Sequence, residues 1–169
     1  MKKSDLARLG KEDAISIIGK EWMLVTAGTP DKFNTMTASW GGIGFLWGKP
    51  VAFVFVRPER YTHQFIEESD HLTLAFLGAE NREILNFCGT KSGRDYDKVK
   101  ETGLVPVATE AGNVTFEQAR LTLECRKLYK TKFTADEFID KAPLERWYND
   151  KPGGGLHDVY IVEIENVYE

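Results

Sequence analysis

The chain is short of cysteine, long apolar runs and positive charge, and each shortage removes a class of protein. Only Cys88 and Cys125 occur in 169 residues. A disulfide framework needs more cysteines than this, and a zinc site needs about four ligands. Both are expected to be reduced structural thiols. No stretch approaches the roughly 20 apolar residues of a membrane helix. The opening MKKSDLARLGKEDA follows its lysines with polar residues where an export signal would place an apolar core. A cytoplasmic protein with no membrane partner is expected. The formal net charge is −4, whereas gripping a phosphate backbone takes a broad basic face, so nucleic acid is not an expected partner. His63, His71 and His157 are scattered, with no carboxylate or cysteine cluster at ligand spacing, and no metal is expected.

Familiar catalytic motifs are missing as well. The stretch GGIGFLWGKP (41–50) fails as a dinucleotide fingerprint, because Gly42, Gly44 and Gly48 are spaced one residue too long and lead into Lys49, Pro50 and a strand. It fails as a phosphate loop too, since Gly44 to Gly48 encloses three residues and Pro50 follows the lysine. It reads as a tight connection between barrel strands. G-x-S-x-G is absent and Cys88 has no neighbouring base, which argues against hydrolytic or thiol catalysis.

What is present is enough apolar residue, 42%, to bury one sizeable core, and a single domain over residues 1–169 is expected. After a helical lead-in, residues 21–27 and 33–40 read as a hairpin around GTPDK. The apolar run 50–57 reads as a central strand covered on both faces. Residues 61–69 carry Tyr61, Phe65 and Ile66 at helical spacing, and 71–77 place Leu72, Leu74 and Phe76 on one strand face. Helices are expected over 81–87 and 95–103, the second ending at Gly103, with a loop CGTKSGR between them. Residues 119–129 alternate cleanly, which predicts a strand with Leu121, Leu123 and Cys125 inward and a wet outer face. Short helices are expected over 133–140 and 144–149, then a glycine-rich loop at 151–155 and a closing strand over 156–168. Strands that hairpin first, with helices inserted later, imply a mainly β fold with peripheral helices, a closed antiparallel barrel.

The positive charge is uneven: Arg57, Arg60, Lys91, Arg94, Lys98 and Lys100 fall in two short segments that can hold a small anion where they meet. Lys98 and Lys100 themselves read as the solvated face of a short helix. Three segments, NTMTASW (34–40), RPERYT (57–62) and CGTKSGRDYDK (88–98), together with LVTAG (24–28) and HDVYIVEI (157–164), resemble in order and spacing the FMN-binding flavin reductase-like family, including the flavoredoxins. The resemblance implies a Greek-key split β-barrel and a homodimer with FMN at the edge of its interface. It implies hydrogen bonds to the flavin ring from Asn34, Thr35, Met36, Thr37, Ala38 and Ser39. Trp40 would lie beside the ring, stacking or shielding it, or serve as a core tryptophan. Arg57, Arg60, Tyr61 and Thr62 fall where a strand enters a helix, whose N-terminus attracts phosphate; Thr62 also reads as a helix cap. Lys91 and Ser92 match positions on the phosphate or ribityl tail, and Ser92 to Asp95 also read as a capping box. His157 matches a residue on the substrate side of the flavin. The family's glycine in its Gly-Glu pattern near that histidine is replaced by Val162 before Glu163, which bears on how open the donor pocket is. Loop 151–155 reads as a solvent loop or a lid.

In such proteins the cofactor carries the electron chemistry and the chain holds, tunes and exposes it. The implied activity is an NAD(P)H-dependent oxidoreductase that reduces flavin or another acceptor through FMN. The alternative is a non-catalytic, flavoredoxin-like electron carrier reduced by a redox protein; a split barrel holding haem or another planar ligand is a third.

Overall fold

The computed structural model describes residues 1–148 and 155–169. Eight strands make one antiparallel sheet: β1 (Lys3–Ser4), β2 (Met23–Thr29), β3 (Lys32–Ala38), β4 (Gly41–Leu46), β5 (Lys49–Val56), β6 (His71–Phe76), β9 (Leu121–Lys132) and β10 (Asp158–Tyr168). The order is β3-β2-β6-β9-β10-β5-β4, and β1 adds to β10. A separate hairpin is formed by β7 (Pro106–Ala108) and β8 (Val114–Phe116). Helices α1 (Ala14–Ser16), α2 (Tyr61–Glu68), α3 (Arg82–Thr90), α4 (Lys98–Thr102) and α5 (Ala142–Tyr148) are peripheral.

Mainly β structure with outlying helices agrees with the sequence pattern, but the sheet is not closed. Among the described residues β3 and β4 do not pair, although Ser39 and Trp40 alone separate them in the chain. The path of hydrogen bonds instead runs the long way round through five other strands. Trp40 therefore stands at the split.

Two apolar clusters flank the sheet. One gathers Val25, Met36, Val54, Leu72, Leu74, Phe76, Leu123, Cys125, Tyr160 and Val162. The other packs Leu24, Ala75, Leu77, Leu85, Cys88, Leu104 and Phe116 on the opposite side. The expected alternation of Leu72, Leu74 and Phe76, and of Leu121, Leu123 and Cys125, places each set in the first cluster. Burying both faces of β2 and β6 fixes their register, because a one-residue slip would exchange the two clusters.

Several expectations are corrected. The outer face of β9 is wet only in part: Thr122 and Glu124 are fully buried, with Thr122 hydrogen-bonded to Thr115 of β8 at 2.8 Å, while Arg120 and Arg126 on either side of them reach solvent. Residues 41–46 of the glycine stretch form a strand, and the tight turn is confined to Trp47 and Gly48, both at positive φ (53° and 72°), as a two-residue hairpin requires. Gly42 has its reason in packing, since a Cβ there would lie 3.3 Å from the Phe53 ring. Strand β5 is internal, but its Phe53 and Phe55 are half-buried, so only one face is fully covered. Helix α3 runs on to Thr90 and takes in Cys88, Gly89 and Thr90, which were expected in a loop. Helix α4 starts later than expected, at Lys98, capped by the Asp97 side chain on the Lys100 N–H, and ends as expected at left-handed Gly103. In place of a helix over 133–140 there is one 3-10 turn, Ala135–Glu137. Residues 151–154 of the glycine-rich loop, and Asn149, lie outside the described residues. Cys88 and Cys125 are buried free thiols.

Candidate functional site

Five pieces of chain converge at the split: the end of β3 with Trp40, the end of β5 with Arg57, the start of α2, the α3–α4 connection, and His157 at the mouth of β10. They enclose two adjoining clefts that share Arg60. One, of about 170 Å³, is lined by Met36 to Trp40, Phe55, Arg57, Arg60 and His157. The other, of about 210 Å³, is lined by Glu59 to Thr62, Gly89 to Gly93 and Lys98.

The first cleft has aromatic walls. Trp40 meets Trp147 of α5 edge-on at 5.0 Å and lies 5.3 Å from the His157 ring. Phe55 stacks on Phe133 at 5.6 Å. The second cleft is formed by polar loops and helix ends. Helix α2 begins because Arg60, the residue before it, is extended and carries no side-chain cap, which leaves first-turn N–H groups for an outside acceptor. Gly89 lets α3 close down on β3, since a Cβ there would stand 3.3 Å from the Thr37 side chain.

The cations of this region have little opposite charge beside them, Glu59 of the second cleft being the carboxylate that acts on Arg60. Among the described residues no ion pair joins Arg57, Arg60 or Lys98 to a carboxylate. Lys98 is buried, and its ammonium donates to the carbonyls of Thr35 and Cys88, both at 2.8 Å. Burial pulls its pKa down to about 8. Burial also lowers that of Arg60. His157 is held to about 4, first by burial and then by the Arg57 and Arg60 charges, so it is a neutral imidazole at ordinary pH; its Nδ1 pairs with the Tyr148 hydroxyl at 2.7 Å. Arg57 donates Nη2 to the Trp147 carbonyl at 2.9 Å, while its buried Nη1 has no partner among the described residues. A groove with aromatic walls at one end and under-compensated cations along it suits an elongated, planar, anionic ligand.

A family model of the flavin reductase like domain matches residues 16–169. The chain belongs to the flavin reductase like domain family. Solved structures share its fold. An FMN-binding protein from Thermus thermophilus superposes with a TM-score of 0.68 at 20% identity, covering 88% of this chain and 69% of that one. Flavoredoxin of Desulfovibrio vulgaris (Miyazaki F) gives 0.67 at 22%, covering 99% and 76%. An NADH:FAD oxidoreductase from Streptomyces globisporus gives 0.64 at 15%, covering 88% and 75%. Among curated proteins none matches the chain significantly.

In this member of the flavin reductase family, most of the residues singled out in the sequence do meet. Met36, Thr37, Ala38, Ser39, Trp40, Arg57, Arg60 and His157 line the aromatic cleft, and Arg60, Tyr61, Thr62, Lys91 and Ser92 line the other. Asn34 and Thr35 line neither. They face a larger cleft beside Tyr61 and Gly93, and Asn34 Nδ2 donates to the Thr62 hydroxyl at 2.8 Å. Thr62 is thus a fully buried strut inside α2, and the cap position belongs to Arg60. Ser92 accepts from the Arg94 N–H in a turn and does not open α4. Thr37 spends its hydroxyl on the Leu85 carbonyl at 2.5 Å. Arg57 sits at the aromatic end, held by α5, and not with the second cleft's cations. Lys98, expected in solvent, is the buried cation of the site. Its signal was its place at the end of CGTKSGRDYDK; nothing local announced its burial.

Proposed function

We propose that the chain binds FMN in this groove and passes hydride or electrons from NAD(P)H through it to a flavin or other acceptor. One observation carries the reading: Arg57 and Arg60 line the aromatic-walled cleft, Arg60 and Lys98 line the polar cleft that adjoins it, and among the described residues no ion pair joins any of the three to a carboxylate. The residues fit the cofactor. Lys98, Lys91, Ser92 and the first N–H groups of α2 would hold the phosphate, and Trp40 with the backbone of 36–39 would hold the ring. The flavin supplies the two-electron chemistry when bound. The chain's part is to orient it, to keep His157 uncharged beside it and to shield one side with Trp40.

We further infer a homodimer. Phe45 and Trp47 are 74% and 57% exposed at the β4–β5 hairpin, and half-buried Phe53 and Ile161 pair across the outer face of β5 and β10. That apolar strip needs a cover, and a second copy supplies one.

The purified protein should take up FMN stoichiometrically, sediment at about twice 19.2 kDa, and lose its visible flavin absorbance when NADH or NADPH is added anaerobically. No FMN uptake at saturation would sink the reading. Uptake without bleaching by either nucleotide, but with reduction by a redox protein, would replace the enzyme with an electron carrier. A monomer at micromolar concentration would remove the dimer.

A further inference from the structure

Among the described residues, Arg57 is the cation of the aromatic cleft that carries a buried nitrogen without a hydrogen-bond partner. Its stem comes off β5 into the cleft that holds Trp40 and His157. On one side α5 pins the guanidinium: Nη2 donates to the Trp147 carbonyl, and the group lies 5.0 Å over the Tyr148 ring. Nη1 is buried and unpaired among the described residues. A fork fixed at one nitrogen and free at the other is preorganised for an acceptor within the cleft. Arg60 adds a second positive charge to the same cleft, and His157, uncharged at ordinary pH, adds none.

Two guanidiniums with no paired carboxylate favour whichever form of a ligand bears more negative charge. A flavin ring that accepts a hydride from NAD(P)H gains two electrons and one proton, and so one unit of negative charge. We propose that Arg57 is a redox-tuning residue, whose free Nη1 binds the ring end of reduced FMN more tightly than that of oxidised FMN. This rests on the flavin-binding reading above and adds to it a preference between two states of the ligand.

The test compares wild type with Arg57→Gln, Arg57→Met and Arg57→Lys. Oxidised FMN is titrated by fluorescence quenching, and the midpoint potential of bound against free FMN then gives the affinity ratio of the two states. In Arg57→Gln and Arg57→Met the preference for reduced FMN should fall about tenfold, the worth of a charge-assisted hydrogen bond. That moves the potential about 30 mV downward for a two-electron couple. Arg57→Lys, which keeps the charge, should retain most of the preference. If Arg57 merely anchors α5 through Trp147, every substitution weakens both states equally and the ratio stays put, which overturns the proposal. Arg57→Met keeps the apolar stem against Tyr148 and reads the same ratio if Arg57→Gln does not fold. Wild type that takes up no FMN defeats the flavin reading itself; wild type that binds, with an unchanged ratio in both neutral variants, defeats this proposal alone.

Discussion

Glu124 and Lys98 are both buried charges, and the protein treats them in opposite ways. Glu124 of β9 is fully buried and accepts four hydrogen bonds: from the Thr109 hydroxyl, from Asn113 and Asn166 at 2.7 Å each, and from Tyr168 at 3.0 Å. Burial pushes its carboxyl up, yet those donors outweigh it and leave the pKa below the usual carboxylate value. The charge is saturated, and it ties the β7–β8 hairpin and the last strand to β9. Lys98 has two carbonyls and no carboxylate, and burial wins, bringing it to about 8. A charge satisfied from within belongs to the fold; a charge left under-compensated beside a groove is waiting for an anion.

That contrast can be broken by exchanging the two roles. Glu124→Leu should have the largest effect, a loss of about 3–5 kcal/mol in chemical denaturation, because it strands four donors, of which those of Thr109 and Tyr168 are buried and those of Asn113 and Asn166 half-buried. FMN affinity of the folded fraction should stay within about twofold. A loss below about 1 kcal/mol would show that the cluster is not a keystone. Lys98→Met should do the reverse. Stability should change by no more than about 1 kcal/mol, because the relief of a buried charge offsets two unpaired carbonyls. FMN affinity should fall about 10- to 100-fold while riboflavin, which lacks the phosphate, is unaffected. The pH dependence has a fixed sign. With a folded pKa of about 8, below an unfolded value of about 10.4, the unfolded chain holds the extra proton between them. Stability of the wild type without ligand should therefore rise between roughly pH 8 and 10, and Lys98→Met should lack that rise. A flat wild-type profile would mean that Lys98 is not the buried cation described here.

How far the sequence carried this contrast depends on range. Period and turn chemistry located β2, β3, β6, α2 and β10 to within a residue or two, because each buries a face that its own spacing declares. They misread the middle of β9, since Arg120, Thr122, Glu124 and Arg126 alternate like a solvated face, which holds for the two arginines, and nothing nearby says that β8 lies over Thr122. The β7–β8 hairpin, three residues to a strand, was too short to leave a periodic trace. The ordered motifs brought most of the groove together in advance, but not which cation serves which end. Arg57 and Arg60 are three residues apart, yet Arg57 is drawn to the aromatic end by the Trp147 carbonyl, ninety positions away. Thr62 looked like a cap until Asn34, 28 positions away, supplied its partner. Long-range hydrogen bonds decided each of these cases, and single-sequence patterns are silent about them.

The smallest expected effect sharpens the same comparison from the solvent side. Lys91 lies on the cationic cleft beside Lys98, but it is exposed, and its ammonium sits 5.5 Å over the Tyr96 ring. Water and salt screen an exposed charge, and a long lysine stem must be ordered to reach a ligand, so each such contact adds little. Lys91→Glu should weaken FMN binding only about 2- to 5-fold at low ionic strength. The difference should shrink further near 0.5 M salt, where the Debye length falls to about 4 Å. Riboflavin affinity should not move in either buffer. Titration of both ligands into wild type, Lys91→Glu and Lys98→Met at two salt concentrations checks the order. A Lys91 loss that matches that of Lys98 and survives high salt would mean that burial is not what separates the two lysines.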